Sequence, residues 1–199
     1  PRRAPVKVFL GITGASGAPY AARLLHALSA SGAEGGLCIS DAGVQVCATE
    51  LYGDIALPRE EVTTRLVEGL DGVEVVGLRD YTTPYASGSA RIDGYLVCPC
   101  SMSTAASIAA GAMANLVHRA ASVAIKEERK LVLVPRETPL STIHLENLLR
   151  LRRAGATVVM AAPGFYDDRD ASKQLIDRHQ ALMWEVGDLM GQWEALQEH

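Results

Sequence analysis

The chain has 199 residues, 48% of them hydrophobic and 21% charged. That length suits one well-buried domain rather than two, and the balance excludes an intrinsically disordered chain. The net charge of -4 argues against nucleic acid as the main partner, because a phosphate backbone is drawn to basic surfaces.

Residues 1–5, Pro1-Arg2-Arg3-Ala4-Pro5, read as a flexible lead-in to one domain spanning 1–199. They hold neither an apolar signal core nor a small-residue cleavage site, and no later run reaches the ~18 apolar residues of a membrane span. A cytoplasmic protein is expected. Lys7–Ile12 predicts a strand that ends in Gly14-Ala15-Ser16-Gly17. Tyr20, Leu24, Ala27 and Leu28 then recur at helical spacing and predict a buried face, with Gly32 as the stop. Gly36–Ser40 predicts a second strand, and Asp41 the cap of a helix running to about Leu51. An irregular stretch follows, with a short helix over Arg59–Leu66, a strand over Glu74–Val76, and the small polar run Ala86-Ser87-Gly88-Ser89. Gly94–Cys98 predicts a buried strand, Ala105–Ala112 and Leu116–Glu128 helices, and Lys130–Pro135 another strand. Leu145, Leu148 and Leu149 mark the next helix, Thr157–Ala161 the last strand, and Leu175, Leu182, Val186 and Leu189 a long final helix.

Strands that alternate with helices and read as continuous apolar runs predict a mainly parallel sheet covered on both faces. Right-handed crossovers then give a doubly wound, Rossmann-like or flavodoxin-like α/β three-layer sandwich. Of Cys38, Cys47, Cys98 and Cys100, the pair around Pro99 lacks zinc spacing and has no second pair to join. The thiols read as structural. The five histidines show no metal-ligand spacing, so no metal is expected. His144 is the one expected near the site.

In a doubly wound sheet the ligand sits outside the carboxyl ends of the strands. Four loops fall there. Gly14-Ala15-Ser16-Gly17 offers a tight turn and free N–H groups at a helix start, either for an anion or for the turn alone. Ser40-Asp41 is a cap or a ligand contact. Ser101-Met102-Ser103-Thr104 sets several hydroxyls at a helix entrance, where they suit a phosphate or a cap. Arg136-Glu137 is a charged pair directly after an apolar strand, and must be paired or functional there. Arg119 and Lys126, seven residues apart on one helix face, hold a phosphate or form a solvated face. Glu50 alone reads as a surface carboxylate.

The segments Gly11-Ile12-Thr13-Gly14-Ala15-Ser16-Gly17-Ala18, Cys98-Pro99-Cys100-Ser101, Leu131 to Leu140, His144-Leu145-Glu146-Asn147 and Ala162-Pro163-Gly164-Phe165-Tyr166, taken in order, resemble the UbiX-type flavin prenyltransferases. The resemblance runs from about residue 6 to about residue 193. It implies a metal-free transfer of a dimethylallyl group from dimethylallyl phosphate to N5 and C6 of reduced FMN. The prenylated FMN so made serves a UbiD-type decarboxylase. The resemblance also implies a homo-oligomer, usually a dodecamer, with sites between subunits.

By the same resemblance Gly14, Ala15, Ser16, Ser40, Ser101, Met102, Ser103, Thr104 and Arg136 would contact FMN. Ser87, Gly88 and Ser89 would line the prenyl-phosphate pocket, and Arg119, Lys126, Glu137 and Tyr166 would hold the phosphate. Ser16, Glu50, Lys126 and Glu137 would be the catalytic groups. One position departs from the pattern: Leu182 stands where the family carries a basic residue, with Arg178 or Lys173 as substitutes. The rival readings are an FMN-dependent cysteine-type decarboxylase, for which only the fragment Met113-Ala114-Asn115 speaks, and a non-catalytic flavin carrier.

Overall fold

The computed structural model describes residues 5–162. The final helix expected around Leu175–Leu189 lies outside them, as do Tyr166, Lys173, Arg178 and Leu182. The described residues form six strands: β1 (Lys7–Ile12), β2 (Glu34–Ile39), β3 (Val73–Val75), β4 (Gly94–Cys100), β5 (Lys130–Pro135) and β6 (Thr157–Val158). Between them run α1 (Ala18–Ala30), α2 (Asp41–Tyr52), α3 (Arg59–Val67), α4 (Met102–Ala109), α5 (Leu116–Lys126) and α6 (Thr142–Arg153). All strand pairs are parallel, in the order β3-β2-β1-β4-β5-β6. This is the doubly wound α/β sandwich expected, with the Rossmann rather than the flavodoxin strand order.

Side chains alternate across the sheet. Phe9, Tyr95, Leu131 and Leu133 meet α4, α5 and α6 on one face, while Leu10, Ile12, Leu37 and Ile39 meet α1, α2 and α3 on the other. With both faces covered, the strands read as apolar runs, and that made them legible in the sequence.

Several local expectations change. α1 buries Ala18, Ala21 and Leu25, whereas Tyr20 is 40% exposed. Small residues let the helix lie close to the sheet, so its inner stripe is narrower than the larger side chains suggest. The cap of α2 is Ser40, whose hydroxyl accepts from Gly43 N at 3.0 Å; Asp41 is the first helical residue and pairs with Arg59 at 2.5 Å. α4 starts at Met102, three residues earlier than expected, because Ser101 caps it. In α6 the buried residues are Leu148 and Leu151, and Leu145 and Leu149 are exposed. β6 is only Thr157–Val158, although Ala161 N still donates to Pro135 O at 2.9 Å.

Candidate active site

The strand order reverses between β1 and β4, and the loops leaving those two strands diverge to opposite faces of the sheet. Such a switch point opens a crevice. Thr13 joins its two sides. Its buried hydroxyl donates to Pro99 O at 2.9 Å and accepts from Ser101 N at 2.7 Å, so the entrance to α4 is fixed to the end of β1.

A cavity of about 300 Å³ lies at this end of the sheet, lined by Gly14, Ser40, Ser101, Ser103 and Thr104 among others. Five residues from three separate stretches, each singled out in the sequence, thus meet in one place. Ser101 Oγ accepts from Thr104 N at 3.2 Å and lies 3.0 Å from both Ser103 Oγ and Thr104 Oγ1. Capping and lining coexist here: the hydroxyls that start the helices also face the hollow. Helices α2 and α4 both begin at the cavity, and their N-terminal N–H groups favour an anion. Met102 and Ala15 contribute differently. Both side chains are buried, Met102 in the core against α5, which leaves their backbone for a ligand. A larger hollow of about 840 Å³ opens at the other end of the sheet, among Lys7, Glu34 and Asp93, with Tyr85 and Ala90 on either side of the Ser87–Ser89 run also in its lining.

The two glycines of the first loop have separate reasons. A Cβ on Gly14 would stand 2.4 Å from the Ala42 Cβ, so Gly14 lets the loop meet α2. Gly17 has φ +125°, a conformation that favours glycine. As the cap residue of α1, Gly17 supplies no side chain. Glu50 of α2 does so instead: its Oε2 accepts from Gly17 N at 2.9 Å and Ala18 N at 2.8 Å. Burial alone would raise the Glu50 pKa, but the Gly17 N–H, the Ser16 hydroxyl, the Ala18 N–H and the Arg136 charge together bring it below the ordinary value. Glu50, read alone as a surface carboxylate, is therefore the group around which Ser16 and Arg136 gather. Arg136 itself is exposed and makes no ion pair or side-chain hydrogen bond among the described residues.

A second polar cluster forms on α5. Arg119 Nε donates to Ala86 O at 3.0 Å. Lys126 Nζ pairs with Glu127, and both crowd Gly88, where an added Cβ would lie 2.7 Å from the ammonium. Ser87 Oγ and Ser89 Oγ are 2.9 Å apart. The stretch 86–89 is thus folded onto the two cations, Ala86 against Arg119 and Gly88 against Lys126. Arg129, which sequence reasoning passed over, pins that loop by donating to Gly88 O at 2.6 Å and to Tyr95 Oη at 3.3 Å. Glu137, at the end of β5, accepts from its neighbour Thr138 N at 3.3 Å. Among the described residues it makes no hydrogen bond or ion pair with Arg119 or Lys126.

His144 is not the one histidine to consider. His144 completes the cap of α6, with its Nδ1 accepting from Ser141 N at 3.3 Å. His118 lines the cavity, with Asn115 and Ser107, because Leu116 N donates to Leu78 O at 2.8 Å and fixes the start of α5 there. Asn115 caps α5, accepting from His118 N at 3.0 Å. No spacing pattern marked these residues.

A family model described as Flavoprotein matches residues 2–194. The flavin prenyltransferase UbiX of Pseudomonas aeruginosa is 44% identical over 179 residues, covering 87% of this chain and 85% of that protein. The chain belongs to the UbiX flavin prenyltransferase family. Among solved structures, AnUbiX in complex with FMN and dimethylallyl pyrophosphate superposes with a TM-score of 0.71 at 38% identity, covering 92% of this chain and 93% of that one. A dodecameric FMN-dependent UbiX-like decarboxylase from Escherichia coli O157:H7 superposes with a TM-score of 0.70 at 42% identity, covering 84% and 88%.

Proposed function

We propose that this protein transfers a dimethylallyl group from dimethylallyl phosphate to N5 and C6 of reduced FMN, for use by a UbiD-type decarboxylase. The observation that carries the reading is the second polar cluster, with the stretch 86–89 folded onto Arg119 and Lys126. A flavin carrier needs the hydroxyl-lined cavity but no second cationic corner. An oxidative decarboxylation releases no phosphate and has no use for one either.

The residues fit a flavin mononucleotide. The cavity is at the small end of the ~300–1,000 Å³ of ligand pockets, and its hydroxyls and two helix starts suit the phosphoribityl tail. Reduced FMN supplies the electron-rich N5 and C6 to which the allyl carbons become attached. Arg119 and Lys126 meet the charge that grows on the phosphate oxygen as the C–O bond breaks. Tyr166 and Glu137 are assigned to the same phosphate, Glu137 as its proton donor. Glu50 rests ionised. Its Oε2 is occupied by two N–H groups, so Oε1 is the oxygen free to accept a proton through Ser16. The Gly17 N–H, the Ser16 hydroxyl and the Ala18 N–H hold that carboxylate in its charged form, and the Arg136 charge adds to them.

Leu145 and Leu149 on α6, both exposed, support a homo-oligomer like the dodecameric relative. No helix among the described residues is long and apolar enough to cross a membrane, and four unpaired thiols suit the reducing cytoplasm. Incubation with reduced FMN and dimethylallyl phosphate without oxygen is expected to give a flavin heavier by one prenyl unit, read by mass spectrometry. Tight FMN binding with an unchanged flavin mass would overturn the prenyl-transfer reading.

A further inference from the structure

His118 is 93% buried (7% relative exposure), yet its Nδ1 is sealed from solvent with no hydrogen-bond partner among the described residues. A sealed Nδ1 with no acceptor beside it is a poor place for the ring proton, because buried N–H groups without a partner are rare in native structures. The ring lines the 300 Å³ cavity. Because Nδ1 is the sealed nitrogen, the one that reaches the cavity is Nε2. We propose that His118 is a positioning residue for the flavin substrate, its Nε2–H donating to the phosphate of FMN; the proposal rests on the flavin reading above.

The surroundings select this chemistry. Burial lowers the His118 pKa, so the imidazole is neutral near pH 7 and carries a single N–H. On Nδ1 that proton would find no acceptor; on Nε2 it faces the cavity. The other lining groups are donors as well. Ser40, Ser101, Ser103, Thr104 and Ser107 bring hydroxyls, α2 and α4 bring their first N–H groups, and Asn115, whose Oδ1 is engaged by His118 N, has its amide N–H left over. Among the described residues Asp41 is the one carboxylate in the lining, and Arg59 holds it at 2.5 Å. A wall of donors suits a phosphate monoester better than an aromatic ring or a neutral alcohol. His118 directly precedes Arg119, so one turn of α5 would touch both the flavin phosphate and the corner assigned to the leaving group.

The test measures affinity for oxidised FMN and for riboflavin by flavin fluorescence in wild type, His118→Ala and His118→Gln. Loss of a hydrogen bond to a charged oxygen is expected to weaken FMN on the order of tenfold or more in His118→Ala. Riboflavin, which lacks the phosphate, is expected to bind all three proteins alike. His118→Gln, which keeps a donor near the Nε2 position, is expected to recover most of the FMN affinity. Unchanged FMN binding in His118→Ala would overturn the proposal, as would equal weakening of FMN and riboflavin, which would make the ring a packing element only. If the alanine variant fails to fold, ¹⁵N NMR of the wild-type histidines decides. FMN, but not riboflavin or inorganic phosphate at the same concentration, is expected to shift the His118 Nε2 resonance; an unmoved resonance with FMN bound overturns the proposal. A wild type that binds no FMN would overturn the flavin reading itself, a result distinct from any of these.

Discussion

Glu50 is engaged on two sides, and the two uses differ in what they need from it. Towards α1 it is a cap, accepting from Gly17 N and Ala18 N. Towards Ser16 and Arg136 it is a charge in a site. Its folded pKa lies below the ordinary ~4.3 of a glutamate. The stability it adds is therefore present above that ordinary value and lost as pH falls through the lowered one. Glu50→Gln should cost roughly 0.5 kcal/mol at pH 7, the scale of an exposed charge at a helix start. The cost should shrink as urea melts are taken to progressively lower pH. The same variant should lower turnover on the order of 100-fold, the scale of a lost proton-transfer group, with FMN affinity kept. Unchanged turnover would leave Glu50 a cap alone. At this scale the sequence was legible where residue type and position coincide, as for Ser101–Thr104 at a strand end. It was silent on His118 and Arg129, because nothing local records that α5 starts against Leu78 or that the chain after it returns to Gly88. Thr13 lay inside a recognised segment, but a threonine ending a strand has no distinctive spacing, and its bonds to Pro99 and Ser101 span 86 and 88 residues.

Among the elements, α2 does most to shape the site, bringing Ser40 at its start and Glu50 near its end. It can do so because Gly43 lets it touch β1: an added Cβ would stand 2.6 Å from Ile12 O. That neighbour is backbone and cannot turn aside. Gly43→Ala gains up to ~1 kcal/mol of helix propensity but overpacks the contact, which costs about 1–3 kcal/mol. The second effect should win, with a net loss of about 1–2 kcal/mol in urea unfolding and weaker FMN binding as Ser40 and Glu50 shift together. A more stable variant would show that α2 can move away freely. The same reasoning explains what element-level reading missed. Strands buried on both faces announce themselves as apolar runs. A helix packed by Ala18 and Ala21 does not, since its inner face is the less hydrophobic one by side-chain size. Helix starts slipped by one to three residues because a serine cap belongs to the loop in sequence and to the helix in hydrogen bonding.

Across the whole molecule, two apolar layers sandwich a parallel sheet, and the four cysteines sit in them. All are buried and unpaired. Burial pushes the thiols of Cys38, Cys47 and Cys100 up to about 12 and that of Cys98 to about 11. At pH 8 no more than roughly one in a thousand is thiolate, the reactive form. Native protein should resist iodoacetamide at that pH, and all four thiols should react together once denaturant opens the fold. Rapid labelling of one site under native conditions would place that thiol in a layer that opens separately. The fold class was legible at this scale from the alternation of elements. The strand order was not, since Rossmann and flavodoxin sheets share the same βα alternation and differ only in where each strand docks. The cationic corner was legible only as a list, because Ser87–Ser89 and Arg119–Lys126 are brought together by the crossover from β4 to α5.

The cap that α2 lends to α1 also bears on any attempt to reshape this pocket. In a library of variants at position 50, a loss of turnover would carry with it a small loss of stability. Stabilising changes placed elsewhere would restore the second without the first. Removing the overlap at its source would need α1 to have a cap of its own, which Gly17, committed to its turn by φ +125°, cannot provide.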